Sequence, residues 1–124
     1  MKNEHGIPAK IKEIGFQNCY ISELTILEIM YGVANSASSK KEANYLRLKD
    51  LELDFDNRIL PIRNTFNSFS EEKTRLRQAG TLISDFDLLI GCTALTHNLI
   101  LATRNTKELS RLTNLVIEDW IIVS

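Results

Sequence analysis

The stretch DLLIGCTALTHNLILATRN, residues 87–105, decides the architecture. It opens on an acid, Asp87, and runs through Gly91, Cys92, Thr93 and Ala94, whose small side chains let a helix over 87–97 pack closely on a sheet. The apolar run Leu99 to Ala102 follows as a strand, and the polar group Thr103-Arg104-Asn105 sits where that strand ends. A helix feeding directly into a strand, with polar residues at the strand's carboxyl end, belongs to an α/β sheet, which binds ligands along that edge.

The rest of the chain repeats the alternation. Pro8, Ile11, Ile14 and Gly15 give a short helix with proline in its first turn and glycine just past its end. Asn18 to Ile21 is a strand, and the Ser22 hydroxyl is placed to cap a helix over Glu23 to Ala34. After a polar break at Ser36 to Ser39, a helix is expected over Lys40 to Leu53, then a strand over Arg58 to Ile62 with Pro61 near its end. Phe66, Phe69 and Leu76 mark an amphipathic helix over Asn64 to Ala79 that stops at Gly80. Thr106 to Ser110 is a helical turn, and Leu115 to Ile117 a last strand ahead of Trp120. Strands alternating with helices predict a mostly parallel sheet covered on both faces, a three-layer α/β/α arrangement.

Composition sets the outer bounds. A chain of 124 residues, 44% of them hydrophobic, fits a single domain spanning 1–124. No run of eighteen apolar residues and no apolar segment behind the polar start predicts a membrane span or a secretory signal, so a cytoplasmic location is expected. Cys19 and Cys92 lie far apart in apolar segments and read as small buried hydrophobes. With a net charge of -1, any RNA contact must use a local patch rather than overall basicity. His5 and His97 are isolated and lack the partners that a zinc site or a nucleophile relay needs.

Four places carry candidate chemistry. Glu28 falls among Leu24, Leu27 and Tyr31 on its helix, so its carboxylate either pairs with an arginine or backbone group or serves as a metal ligand. Asp85 and Asp87 open the small-residue helix; Asp85 fits a capping role, and Asp87 points to a different side, toward the strand ends. Thr103 and Asn105 follow a strand, where Asn105 reads either as a helix cap or as a site residue. Oxygen ligands around an open cavity suit Mg²⁺ or Mn²⁺, with waters and phosphate oxygens completing the shell. Arg104 stands beside them and is able to hold a phosphate by paired hydrogen bonds. Among Arg58, Arg63, Lys73, Arg75, Arg77, Lys107 and Arg111, the pair Arg75 and Arg77 reads as a solvated helix face with Glu71 and Glu72 as partners.

Three segments together resemble the PIN-domain family, and within it the VapC-type toxins. Ile21-Ser22-Glu23-Leu24-Thr25-Ile26-Leu27-Glu28-Ile29-Met30-Tyr31-Gly32 is similar to the family's I-S-x-x-T-x-x-E-h-x-x-G segment. Residues 87–95 are similar to its D-x-L-I-A-A-x-A-L helix. Residues 101–109 and 115–120 resemble its L-V-T-x-N-x-x-E-F and G-L-x-V-E-D-W close. The resemblance implies a Mg²⁺- or Mn²⁺-dependent endoribonuclease, usually held inactive by an antitoxin and usually a homodimer. It matches Glu28 to the family glutamate and Asp87 to the aspartate that opens the small-residue helix. Asn105 falls where many members carry a fourth acid, and Asp85 has no firm counterpart.

PIN domains open with a hydrophobic strand ending in D-T-N, which supplies a first metal-binding aspartate and the central strand. Met1 to Pro8 resembles the region just after that motif, so about fifteen residues are expected to be missing, one strand plus the start of a helix. Impaired ribonuclease activity of the chain as it stands follows from that expectation. Two alternatives remain: a PIN-like interaction or regulatory module without catalysis, favoured by Asn105, and a receiver-like doubly wound domain, for which the paired acids and late lysine are not recognisable.

Overall fold

The computed structural model describes residues 7–119; His5 and Trp120, both weighed above, lie outside them. The described chain is α/β with helices dominant, and it divides into two compact units: residues 20–62, and the stretches on either side of them.

In the unit of residues 20–62, strand β1 (Ile21–Ser22) pairs in parallel with β2 (Ile59–Leu60), Ile21 opposite Ile59 and Ser22 opposite Leu60. Helix α2 (Glu23–Ala34) starts where expected because Ser22 Oγ accepts from Leu24 N at 3.0 Å, satisfying a first-turn donor. Helix α3 (Ser38–Asp54) begins two residues earlier than the composition suggests. The joint between them is closed by Ser36, whose hydroxyl donates to the Gly32 and Val33 carbonyls and accepts from Asn44 Nδ2 at 3.0 Å. Ile26, Val33 and Leu48 form the buried centre, with Ile21, Ile29, Leu51 and Ile59 packed around it. Glu23 Oε1 accepts from Ile62 N at 2.7 Å, which ties the chain leaving β2 back to the start of α2.

The other unit begins with helix α1 (Ile7–Ile14). The strand expected over Asn18 to Ile21 is shorter than predicted, because Phe16–Asn18 is a 3-10 turn and Asn18 Nδ2 donates to Ile14 O at 2.8 Å. A local side-chain bond of this kind offers the backbone an alternative to extension, so only Ile21 and Ser22 pair as strand.

After a 3-10 turn at Arg63–Thr65, helix α4 (Phe66–Gln78) ends in a Schellman motif: Thr81 N bonds Leu76 O, Gly80 N bonds Arg77 O, and Gly80 adopts φ +70°. Helix α5 (Asp85–Thr96) ends the same way, with Leu99 N on Ala94 O, Asn98 N on Leu95 O, and Asn98 in the left-handed region at φ 55°. Asparagine is the non-glycine residue that tolerates this conformation best, and it was not read as a helix stop in the sequence.

Strand β3 (Leu101–Ala102) follows and pairs in parallel with β4 (Ile117–Glu118). Helix α6 (Thr106–Leu109) lies between them. The core joins Leu76, Ile83, Leu88, Cys92, Leu109 and Leu112, with Leu101, Leu115 and Ile117 against it. Of the small residues of α5, Gly91 faces Leu109 of α6 and Leu112 and Leu115 in the chain after it. A Cβ added at Gly91 would collide with Leu112 Cδ1 and stand 3.1 Å from Leu109 Cδ2.

Candidate functional site

The start of α5 brings the polar groups of its unit together. Ser84 is the N-cap, with extended backbone, and its Oγ accepts from Asp87 N at 3.2 Å. The same hydroxyl donates to Asp87 Oδ2 at 3.0 Å. This is a variant of the capping box, in which the third helical residue reaches back to the cap; here it meets the hydroxyl rather than the backbone N–H. The carboxylate also faces the positive end of the helix dipole.

A second element reaches the same oxygen. Asn105 Nδ2 donates to Asp87 Oδ2 at 2.8 Å, joining the start of α6 to the start of α5. Asn105 occupies the N-cap position of α6 without making a side-chain cap bond, so the simple capping role considered for it does not hold. Its own backbone N–H donates to Thr103 Oγ1 at 3.1 Å, while Thr103 N donates to the carbonyl of Glu118, the last residue of β4, at 3.0 Å. Thr103 thus fixes the turn, and the turn aims Asn105. Asp87 and Asn105 are both half-buried, whereas Arg104, between Thr103 and Asn105, is exposed.

Asp85 is not part of this group. It was read as the better cap; the cap is Ser84, and Asp85 is the first helical residue, turned away to Lys73 with Nζ–Oδ1 at 2.9 Å. The same Lys73 ammonium lies 5.5 Å from the centre of the Phe69 ring. Ser84, which contacts the candidate Asp87, is not singled out by the sequence reading, although the Ser-x-x-Asp spacing of a capping box signals it.

Glu28 lies on α2, in the unit of residues 20–62, and is exposed rather than set in a buried apolar stripe. Leu27, Met30 and Tyr31, which made its surroundings look buried, are themselves exposed, at 58%, 46% and 70%. Its carboxylate makes no ion pair among the described residues.

The basic residues sort in a similar way. Arg75 bonds Glu72 through Nε at 2.7 Å and the Arg111 carbonyl through Nη2 at 2.6 Å; Glu72 Oε1 also accepts from Thr113 N at 2.9 Å. The Arg75 hydrogen bond, opposed in part by burial and aided by Thr113 N–H, holds the Glu72 carboxyl below the usual glutamate range. Arg63, Arg77, Arg104 and Lys107 are exposed and make no ion pair among the described residues. Cys92 is fully buried, and burial pushes its thiol up, as befits a packing residue.

Asp87 Oδ1 and Asn105 Oδ1 accept no hydrogen bond among the described residues, leaving two hard oxygen donors at the ends of α5 and α6. Oxygen donors of this type suit a divalent cation such as Mg²⁺, which takes one or two carboxylates and keeps several waters. Among the described residues no group of three or more His, Cys, Asp or Glu side chains forms, so the fit is to that sparse, water-rich kind of coordination.

The PIN-domain family model matches residues 3–115. The chain belongs to the PIN-domain family. Ribonuclease VapC2 of Rickettsia felis is 37% identical over 100 residues, covering 81% of this chain and 72% of that protein. Among solved PIN-type structures, VapBC2 from Rickettsia felis bound to a DNA fragment from their promoter is similar at 30% identity and a TM-score of 0.75, over 91% of this chain and 84% of that one. FitAcB from Neisseria gonorrhoeae, at 24% identity, shares the fold with a TM-score of 0.86 over 95% of this chain and 86% of the other. The three segments that resembled PIN domains in the sequence lie inside the matched region up to residue 115.

Proposed function

We propose that this chain is the ribonuclease toxin of a toxin–antitoxin pair, an endoribonuclease that cleaves RNA phosphodiester bonds with the help of Mg²⁺ or Mn²⁺. The observation that carries the reading is the Asp87 carboxylate, held by two donors on Oδ2 with Oδ1 unengaged among the described residues. Membership of the PIN-domain family and 37% identity to a ribonuclease VapC2 support it.

Asp87 is the carboxylate assigned to the cation, and Glu28, matched to the family glutamate, is proposed as a metal-binding carboxylate of its own unit. When bound, a divalent ion there would supply Lewis-acid stabilisation of phosphate charge and a more acidic water. Arg104, exposed beside Asn105, is assigned to an RNA phosphate, which its planar fork can hold by paired hydrogen bonds. Thr103 keeps the turn in shape, and Asn105 keeps contact with Asp87. The partners that go with this reading are RNA, a cognate antitoxin and a second copy of the chain, in the cytoplasm. Among the described residues, no helix is long and apolar enough to cross a membrane.

One observation favours a second reading, an interaction module without catalysis: the position matched to a fourth acid is an amide, Asn105, with one negative charge fewer. RNA cleavage with Mn²⁺ or Mg²⁺, against an EDTA control, separates the two. Cleavage that needs the metal and falls at least 100-fold in Glu28→Gln supports the enzyme, on the usual scale for losing a metal-bound or charge-stabilising group. Absence of metal-dependent cleavage supports the module. Arg104→Ala is expected to weaken RNA binding more than metal binding.

A further inference from the structure

The two oxygens of the Asp87 carboxylate do not have the same surroundings. Oδ2 receives a hydrogen from Ser84 Oγ at 3.0 Å and another from Asn105 Nδ2 at 2.8 Å. Oδ1 receives none among the described residues. The two donors come from different elements, the cap of α5 and the start of α6, so they fix the carboxylate's rotation as well as its charge. The amide orientation is dictated by chemistry, since only an N–H pairs with an ionised carboxylate oxygen.

Resting on the functional reading above, we propose that Ser84 and Asn105 are positioning residues that occupy Asp87 Oδ2 and thereby present Oδ1 alone to the divalent cation. Asn105 then contributes as a donor to Asp87. It does not stand in for a missing fourth carboxylate. The Ser84 hydroxyl has a single proton, and Asp87 N already donates to its oxygen, so that proton is directed to Oδ2. Thr103 acts one step further out, by accepting the Asn105 backbone N–H.

A carboxylate at residue 105 would lie against Asp87 Oδ2 with no proton to donate, and two like charges at that distance repel. The proposal therefore separates a donor from an acid at this position. It also separates the hydroxyl's two duties, because glycine is tolerated at an N-cap almost as well as serine but donates nothing.

The test is Mn²⁺ binding by titration calorimetry on the whole chain, with thermal unfolding recorded alongside. Asp87→Asn is expected to abolish binding. Ser84→Gly and Asn105→Ala are expected to weaken it by about tenfold or more while the protein still melts cooperatively, the usual scale for losing a partner that orients a metal ligand. Ser84→Thr, which keeps the hydroxyl, restores wild-type affinity, and Asn105→Asp does not. Wild-type Mn²⁺ affinity in Ser84→Gly and Asn105→Ala, alongside loss in Asp87→Asn, would overturn the positioning role and leave the functional reading standing. Affinity at or above wild type in Asn105→Asp would overturn the donor role. A parent chain that binds no Mn²⁺, or an Asp87→Asn variant that binds as the parent does, would overturn the functional reading and this inference with it.

Discussion

Helices α2 and α5 begin with the same local device and put it to different use. Each starts on a serine N-cap, Ser22 and Ser84, and each carries an acid in its first turn, Glu23 and Asp87. At α2 the cap is buried and the Glu23 carboxylate closes on Ile62 N, so the junction is a structural joint. At α5 the cap is exposed, and Asp87 is steadied by Ser84 and Asn105 without both its oxygens being consumed. The difference between a joint and a candidate site is that a second element steadies the acid of α5 while one of its oxygens accepts no hydrogen bond among the described residues.

That contrast can be broken most forcefully beside Asp87 itself. Leu88 is completely buried, so Leu88→Ala is expected to cost about 2–5 kcal/mol in urea unfolding, whereas Asp87→Asn, which keeps an acceptor oxygen but loses the charge at the helix start, should cost no more than about 1 kcal/mol. Comparable destabilisation by both would mean that Asp87 is a structural residue. Next in size are the two caps. Ser22→Ala should lose about 1 kcal/mol, and Ser84→Gly only a few tenths.

Acid provides a further comparison within the joint-forming carboxylates. The folded-state value of Glu72 is depressed, so its contribution is present above the ordinary glutamate range and is lost as pH falls through the lowered folded value. Urea midpoints followed from about pH 6 to about pH 3 should therefore fall less steeply in Glu72→Gln than in the parent, relative to the unperturbed glutamate range. A similarly small effect is expected at Asp85: its pair with Lys73 is exposed, so Asp85→Asn should change stability by less than about 1 kcal/mol.

Much of this was legible from the sequence, for reasons that can be named. Ser22 before an apolar helix and Gly80 after an amphipathic one are local signals, and both ends fall where they indicate. The small residues of α5 announced a close approach, and Gly91 shows it, with no room for a Cβ beside Leu112. The environment of Glu28 was not legible, because α2 is apolar around most of its circumference and spacing cannot tell a buried Ile26 from an exposed Leu27. The β-segments were drawn too long, since Asn18 and Asn98 divert the backbone through a side-chain bond and a left-handed residue respectively. Asp85 and Asp87 were told apart only by their partners, Lys73 on one side and Asn105 on the other. Those contacts join residues distant in sequence, and no local pattern records them. Asn105 itself looked like a cap for the same reason.

The measurement that bears most directly on the whole account is metal-dependent RNA cleavage by Asp87→Asn and Asp85→Asn side by side, each against the parent chain and an EDTA control. The account predicts that Asp87→Asn loses at least about 100-fold in rate, as for a group that holds the reacting charge, while Asp85→Asn cleaves as the parent does. Equal activity in the two variants, or a greater loss in Asp85→Asn, would contradict the assignment of the chemistry to the Asp87 carboxylate.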